Sequence, residues 1–454
     1  MEKWNMIIYL LLIGFLLFIG KVLKTKLPFL NRIVIPTALL GGMIGLIFSS
    51  VVIPGSYEID VTQMTGIVYH ALALGFIALA LKDSEHQNKR KLWSTGMVIT
   101  STYALQGFIG ILLVMLFWAD RFIGSGMLLA LGFGQGPGLA TSFGGMWDKA
   151  PEFMLGGFGV ALGASYAFLG YLWGGVVGVL AINVIARKRG MIKPKRYIDQ
   201  SIQKTTIEID TVKEVNVMDG LTVQLVVIFI IYGLVWLTLF IFSKILAPLG
   251  PIGGTIFGLM EGFNFIIGIG YALLYKLVLR KLAKRGHQTS MLTNNYLLSN
   301  ISSTCFNFMI AGAVLSITLD FLVEYGVLLA VISTIGGILT VGFLLFITRV
   351  VYPKHKEEYF VALYGMLTGT ASTGIALLKG LDPQLETPVA EELVLGSGTA
   401  IAMALPLFGI LMLPSLGYGT TNASLFDFIA LFGCLAFLVV MVIILVFRSK
   451  KKTA

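Results

Sequence analysis

The stretch from Gly126 to Asp148, GMLLALGFGQGPGLATSFGGMWD, decides the fold. It is apolar and long enough to enter a bilayer, yet its centre is Gly134-Gln135-Gly136-Pro137-Gly138. A straight spanning helix has little use for so many helix-weakening residues in a row. Backbone facing lipid must satisfy its own hydrogen bonds, so broken helix at membrane depth is expected only under a cover of protein or beside a watery cavity. Thr141 and Ser142 follow the break and are small polar groups suited to line such a cavity. The stretch therefore reads as a re-entrant hairpin, 126–148, whose tip carries a binding site. A second broken stretch, 360–379, has Thr368-Gly369-Thr370-Ala371-Ser372-Thr373-Gly374 at its centre.

Composition sets the surroundings of these two breaks. The chain has 454 residues, 57% hydrophobic and only 12% charged. A soluble protein of this size would need several domains and far more surface charge. Recurrent apolar runs of roughly 20 residues indicate a polytopic all-α membrane protein. The formal charge of +10 is not a nucleic-acid signature, because the basic residues cluster between apolar runs. Cys305 and Cys434 both lie inside apolar runs, so no disulfide framework is implied. The first run, Trp4 to Val22, lacks a basic leader and a small-residue cleavage site and reads as a retained helix.

Taken in order, helices are expected at 5–23, 33–53, 61–81 and 95–118, then the first hairpin, then a glycine-rich helix within 153–186. A basic linker, 187–220, separates this part from helices at 221–246, 253–279, 299–319 and 325–348. The second hairpin follows, then a helix at 393–413 and an extra one at 425–447. The two halves, 1–186 and 221–413, share a plan with an offset of about 231 residues, and 414–454 is an addition with a basic tail.

Orientation supports the hairpins. With the basic connection at Lys21 to Arg32 in the cytoplasm, the linker opening at Arg187 lands there only if 126–148 dips in and returns. The amino terminus is then outside and the carboxyl terminus inside. Five spans per half, an odd number, make the repeats inverted, with hairpins entering from opposite faces. Two such broken segments around one central site are the architecture of a secondary transporter. No nucleotide-binding loop is present in the sequence, so the expected driving force is an ion gradient. No catalytic set of paired aspartates or histidine with glutamate stands at membrane depth, and no enzyme is expected. A channel remains a rival reading.

The candidate substrate residues are Gly136, Gly138, Thr141 and Ser142 on the first hairpin, with Thr370, Ser372 and Thr373 on the second. Half-helix N-termini offer N–H groups to a carboxylate, and carbonyls and hydroxyls offer oxygens to a hard cation. The competing reading is that these small residues only permit close packing. The helix at 299–319 carries Ser302, Ser303, Thr304 and Asn307, which could serve the substrate or sodium or simply bond within and between helices. Gln106 shares that ambiguity. Glu261 is a carboxylate at depth, a candidate for sodium or a proton, with a structural role equally open. His70 has no histidine near it, and a satisfied structural role is expected.

The pattern resembles the bacterial glutamate:sodium symporters. The resemblance rests on Ile35-Pro36 with Gly41-Gly42, on Gly134-Gln135-Gly136 through Thr141-Ser142, on Gly174-Gly175 with Arg187, and on Gly369 through Ala376. It implies sodium-coupled glutamate uptake across the bacterial inner membrane by two inverted five-helix repeats in a homodimer. Sodium is the coupling ion, and no other cofactor is implied. Residue by residue it adds Gln135 and Gly369 to the substrate site. The chain departs from the family at Gln135, where a histidine is frequent, at Pro137, at Phe143-Gly144-Gly145 and in its extra last helix. Another small carboxylate or amino acid as cargo therefore stays open.

Overall fold

A computed structural model describes residues 5–27, 36–48, 61–82, 89–149, 158–189, 220–249, 253, 257, 260–261, 264–286, 292–315, 317, 319–382 and 385–450. Among these residues every regular element is helical. In chain order they are α1 (Asn5–Lys26), α2 (Thr37–Ile47), α3 (Val61–Leu81), α4 (Lys89–Phe117), α5 (Pro137–Lys149), α6 (Gly159–Lys188) and α7 (Gly220–Leu246). There follow α8 (Asn264–Lys284), α9 (Asn295–Leu315), α10 (Leu319–Val351), α11 (Lys356–Leu367), α12 (Ala371–Leu378), α13 (Val389–Gly417) and α14 (Ala423–Lys450). The linker, 187–220, lies outside the described residues from 190 to 219, as do Ile35, Glu58, Asp60 and the end of the basic tail.

Eight of these helices are long and apolar enough to cross a membrane. The protein is an all-α, multi-pass membrane protein by that measure. Helix α8 is of similar length but carries Lys276, Arg280, Lys281 and Lys284. Burial sorts the long helices. In α4, 83% of the apolar window is covered by protein, against 22% in α1, α7 and α14. The uncovered residues of those three include Phe15, Phe18, Phe229, Trp236, Phe428 and Phe447, which suit contact with lipid chains.

The helices fall into two groups. One joins α1, α2, α3, α7, α8 and α9, with α3 against α9 as its main seam. The other is built around α4, which packs on α10, α13 and α14, and it holds α6 and both broken segments. The main contacts between the groups run from α5 and α6 to α3 and α9. Side chains absent from glycines make the second group possible. A Cβ on Gly144 would fall 1.9 Å from the Gly159 carbonyl oxygen, and one on Gly110 the same distance from that of Gly126. Backbone therefore meets backbone between α5 and α6 and between α4 and the first hairpin.

Each half of this group has the same order: long helix, broken pair, long helix. Helices α4 and α10 start at Lys89 and Leu319, and α6 and α13 at Gly159 and Val389, both pairs 230 residues apart. Aspartates hold the end of each broken pair. Asp148 accepts from the N–H groups of Gly159 at 2.6 Å and Val160 at 2.9 Å. Asp382 accepts from those of Glu386 at 3.0 Å and Thr387 at 2.9 Å. Outside the bundle core, Arg189 at the end of α6 pairs with Glu357 at 2.5 Å and Glu358 at 2.7 Å, fastening α6 to the start of α11.

Candidate functional site

The first broken segment differs from a pair of regular helical arms. Its entering arm is a 3-10 turn (Ile123–Met127) followed by a π turn (Ala130–Gln135), and only the returning arm, α5, is α-helical. Close contacts explain the irregularity. A Cβ on Gly132 would stand 2.6 Å from the Cβ of Tyr166, and one on Gly134 would stand 2.4 Å from the Tyr103 ring. The chain then reverses at Gly136, with φ 81° and ψ −177°, a conformation that glycine alone adopts without strain. Pro137 starts α5, where its missing N–H leaves nothing unpaired.

The second break is built differently. Helix α11 ends at Leu367, Thr368 and Gly369 turn the chain, and Thr370 caps α12. The Thr370 hydroxyl oxygen accepts from the Thr373 N–H at 3.4 Å and lies 3.3 Å from the Thr373 hydroxyl. Such a cap satisfies one of the open donors of the first helical turn.

The two tips touch. A Cβ on Gly136 would stand 3.5 Å from the Gly369 carbonyl oxygen and 3.6 Å from the Thr370 methyl. Helix α6 floors the meeting point. Gly170 and Gly174 let Thr368 in, with Cβ positions 2.8 Å from its carbonyl oxygen and 2.7 Å from its hydroxyl oxygen, and the Tyr171 ring lies against Gly369. Helix α4 closes another side. Gln106 donates through Nε2 to the Leu367 carbonyl at 2.9 Å and to the Thr340 hydroxyl at 3.2 Å, while its Oε1 lies by Gly134. One side chain thus touches both broken segments. Opposite the tip, Gly138 faces Leu72 and Met309 of α3 and α9, across the seam between the two helix groups.

The candidate residues divide accordingly. Gln135, Gly136, Gly138, Gly369, Thr370 and Thr373 sit at or beside the breaks. Thr141 is buried, but its hydroxyl donates to its own helix, to the carbonyls of Pro137 at 2.7 Å and Gly138 at 3.2 Å. Ser142 is buried on α5. Ser372 lies on α12, and its side chain is outside the described set. Asn307 is half-buried on α9, whereas Ser303 and Thr304 are exposed on that helix. Glu261 lines a different cavity, with Tyr69, His70, Tyr232 and Asn264, among whose described lining residues no hairpin residue appears. His70 is hydrogen-bonded, its Nδ1 2.6 Å from the Tyr232 hydroxyl.

On the first broken segment Ser125 Oγ, Gln135 Nε2 and Ser142 Oγ are buried with no hydrogen-bond partner, as is Gln106 Oε1 of α4 beside it. Leaving such an atom unsatisfied costs about 1–3 kcal/mol, and several in one region invite water, an ion or a polar solute. The tyrosines at depth, Tyr103 and Tyr171, were not singled out in the sequence, although aromatic rings beside a run of glycines are the available signal. Among the described residues no group of three or more histidines, cysteines, aspartates or glutamates could hold a metal ion.

The fold and site together define a multi-pass helical membrane protein with two apposed backbone breaks. Comparison with protein-family models, with curated proteins and with solved structures finds no match.

Proposed function

We propose that the chain is a secondary active transporter that couples the symport of glutamate to sodium by alternating access. The apposition of the two breaks, at Gly136 and at Gly369-Thr370, carries this reading. Two helix N-termini, those of α5 and α12, start at this junction and bring N–H groups and partial positive charge to it. No lysine or arginine stands in either tip sequence, 134–142 or 368–374, so these N–H groups take the carboxylates. Backbone carbonyls such as that of Gly369, with the hydroxyls of Thr370 and Thr373, are the hard oxygen donors sodium prefers. In this scheme the halves are inverted repeats, the hairpins open to opposite faces, and two copies of the chain pair in a bacterial inner membrane. The same geometry would accept another small carboxylate in place of glutamate, and competition against labelled glutamate separates the two.

Uptake of labelled glutamate into proteoliposomes is the direct test. An inward sodium gradient is expected to drive accumulation without ATP, and replacing sodium by choline is expected to abolish it. Each charge moving with the field contributes about 2.3 kcal/mol per 100 mV, enough for substantial concentration. Undiminished uphill uptake in choline would overturn sodium coupling, and non-saturating flux would favour a channel. Orientation has its own test. Cysteine placed at Ser142 is expected to react with impermeant thiol reagents from outside and cysteine at Ser372 from the cytoplasm. Labelling of both from one face would rule out inverted repeats.

A further inference from the structure

Helix α8 changes character along one face. Leu273, Leu274, Leu277 and Val278 are aliphatic and exposed, in the manner of side chains that meet lipid. Lys281, Lys284 and Arg285 follow them and are exposed as well. A helix turns about 100° per residue, so these positions fall within about 140° of arc and form one continuous stripe. Its first part is hydrocarbon and its last part is cationic.

The other cations of α8 have different work. Lys276 turns inward, and its Nζ donates to the carbonyls of Ala80, at 3.3 Å, and of Lys82, closing the C-terminus of α3. Arg280 has an interaction of its own. The charge of the region has one sign: from Gly262 to Leu319 the sequence holds no aspartate or glutamate. Basic residues at a helix end are the ordinary orientation signal of membrane insertion. What sets α8 apart is that its outward cations prolong an exposed aliphatic stripe. A free phosphate would use only the charges, and an acidic protein only the aqueous end. A molecule with an anionic head and hydrocarbon tails meets both parts.

We propose that this stripe binds an anionic phospholipid of the leaflet at that end of α8. Lys281, Lys284 and Arg285 hold the phosphate, the guanidinium offering paired N–H groups to its oxygens. The acyl chains lie along Leu273, Leu274, Leu277 and Val278. The assignment is independent of the transport reading, since no residue of the broken segments is involved.

The test uses the full chain in nanodiscs of mixed phosphatidylglycerol and phosphatidylethanolamine, with the lipids retained after extraction into detergent counted by mass spectrometry. Phosphatidylglycerol is expected to be enriched over its share of the bilayer. Arg285→Gln should lower that enrichment about fivefold, and Lys281→Gln, Lys284→Gln and Arg285→Gln combined should lower it by roughly tenfold or more. Salt should weaken the wild-type preference, because exposed charges are screened. All three changes are at exposed positions, so folding should be unaffected. Lys21→Gln, Lys24→Gln and Lys26→Gln combined, at the end of α1, should leave the enrichment largely intact. An equal loss in that variant would reveal diffuse attraction to a charged leaflet and overturn the local site. So would the absence of any preference in the wild type, or its persistence in the triple variant of α8.

Discussion

Replacing Gly136 by alanine is expected to abolish, or nearly abolish, coupled uptake while leaving the protein folded. The reason is conformational. The hypothetical methyl has room, since its nearest neighbours are the Gly369 carbonyl oxygen at 3.5 Å and the Thr370 methyl at 3.6 Å, both ordinary contacts. The backbone does not tolerate it. At φ 81° and ψ −177° a residue with a Cβ is strained by about 1–3 kcal/mol. The chain relieves that strain by rotating the link between the π turn and α5, which moves the N-terminus of α5 away from the second tip. A change of this size corresponds to roughly five- to 150-fold in apparent affinity, and on the proposed transport reading, in which both breaks form one site, uptake loses more. Helical circular dichroism and the thermal midpoint in detergent should stay close to wild type. Wild-type uptake kinetics in Gly136→Ala would show that the reversal at this residue has no part in the site.

Much of this architecture is legible in the sequence because hydrophobic runs are long and breaks are rich in glycine and threonine. The helices expected at 61–81, 221–246 and 425–447 correspond to α3, α7 and α14 within a few residues. The break at Gly134 to Gly138 is visible because proline and glycine oppose helix wherever they stand. The irregular entering arm is not visible, since Met127 to Phe133 is as apolar as any helix. The π turn lies where Gly132 and Gly134 meet Tyr166 and Tyr103, and the 3-10 turn where Gly126 meets the Gly110 backbone, contacts the local sequence does not announce. Gln106 shows the same limit: its role depends on the Leu367 carbonyl, 261 positions away in the chain. Glu261 is the clearest case. Its residue type signals function at depth, but only the fold assigns it to the aromatic cavity rather than to the hairpins.

Replacing Thr370 by valine is expected to weaken substrate and sodium binding together, by roughly ten- to hundredfold. The shape is almost unchanged, so the effect isolates the hydroxyl. That hydroxyl caps α12 by accepting from the Thr373 N–H, and the methyl on the same carbon lies at the contact between the tips. Loss of an N-cap costs about 0.5–2 kcal/mol. Helix α12 has eight residues, too few to persist without tertiary support and caps. Loss of a hydrogen bond to a charged ligand costs about 1.5–3 kcal/mol of binding, which is the roughly ten- to hundredfold effect, while the lost cap falls on the stability of α12. Serine at 370 keeps the oxygen and should restore most of the affinity, which separates the hydroxyl from general packing. Thr141→Val provides the contrast. Its hydroxyl already bonds the carbonyls of Pro137 and Gly138, so binding should change by about threefold or less. The measurement is the sodium dependence of substrate affinity in purified protein for the three variants. Equal losses in Thr141→Val and Thr370→Val, with no recovery in Thr370→Ser, would mean that both threonines act through packing and that the liganding oxygens belong to the backbone alone.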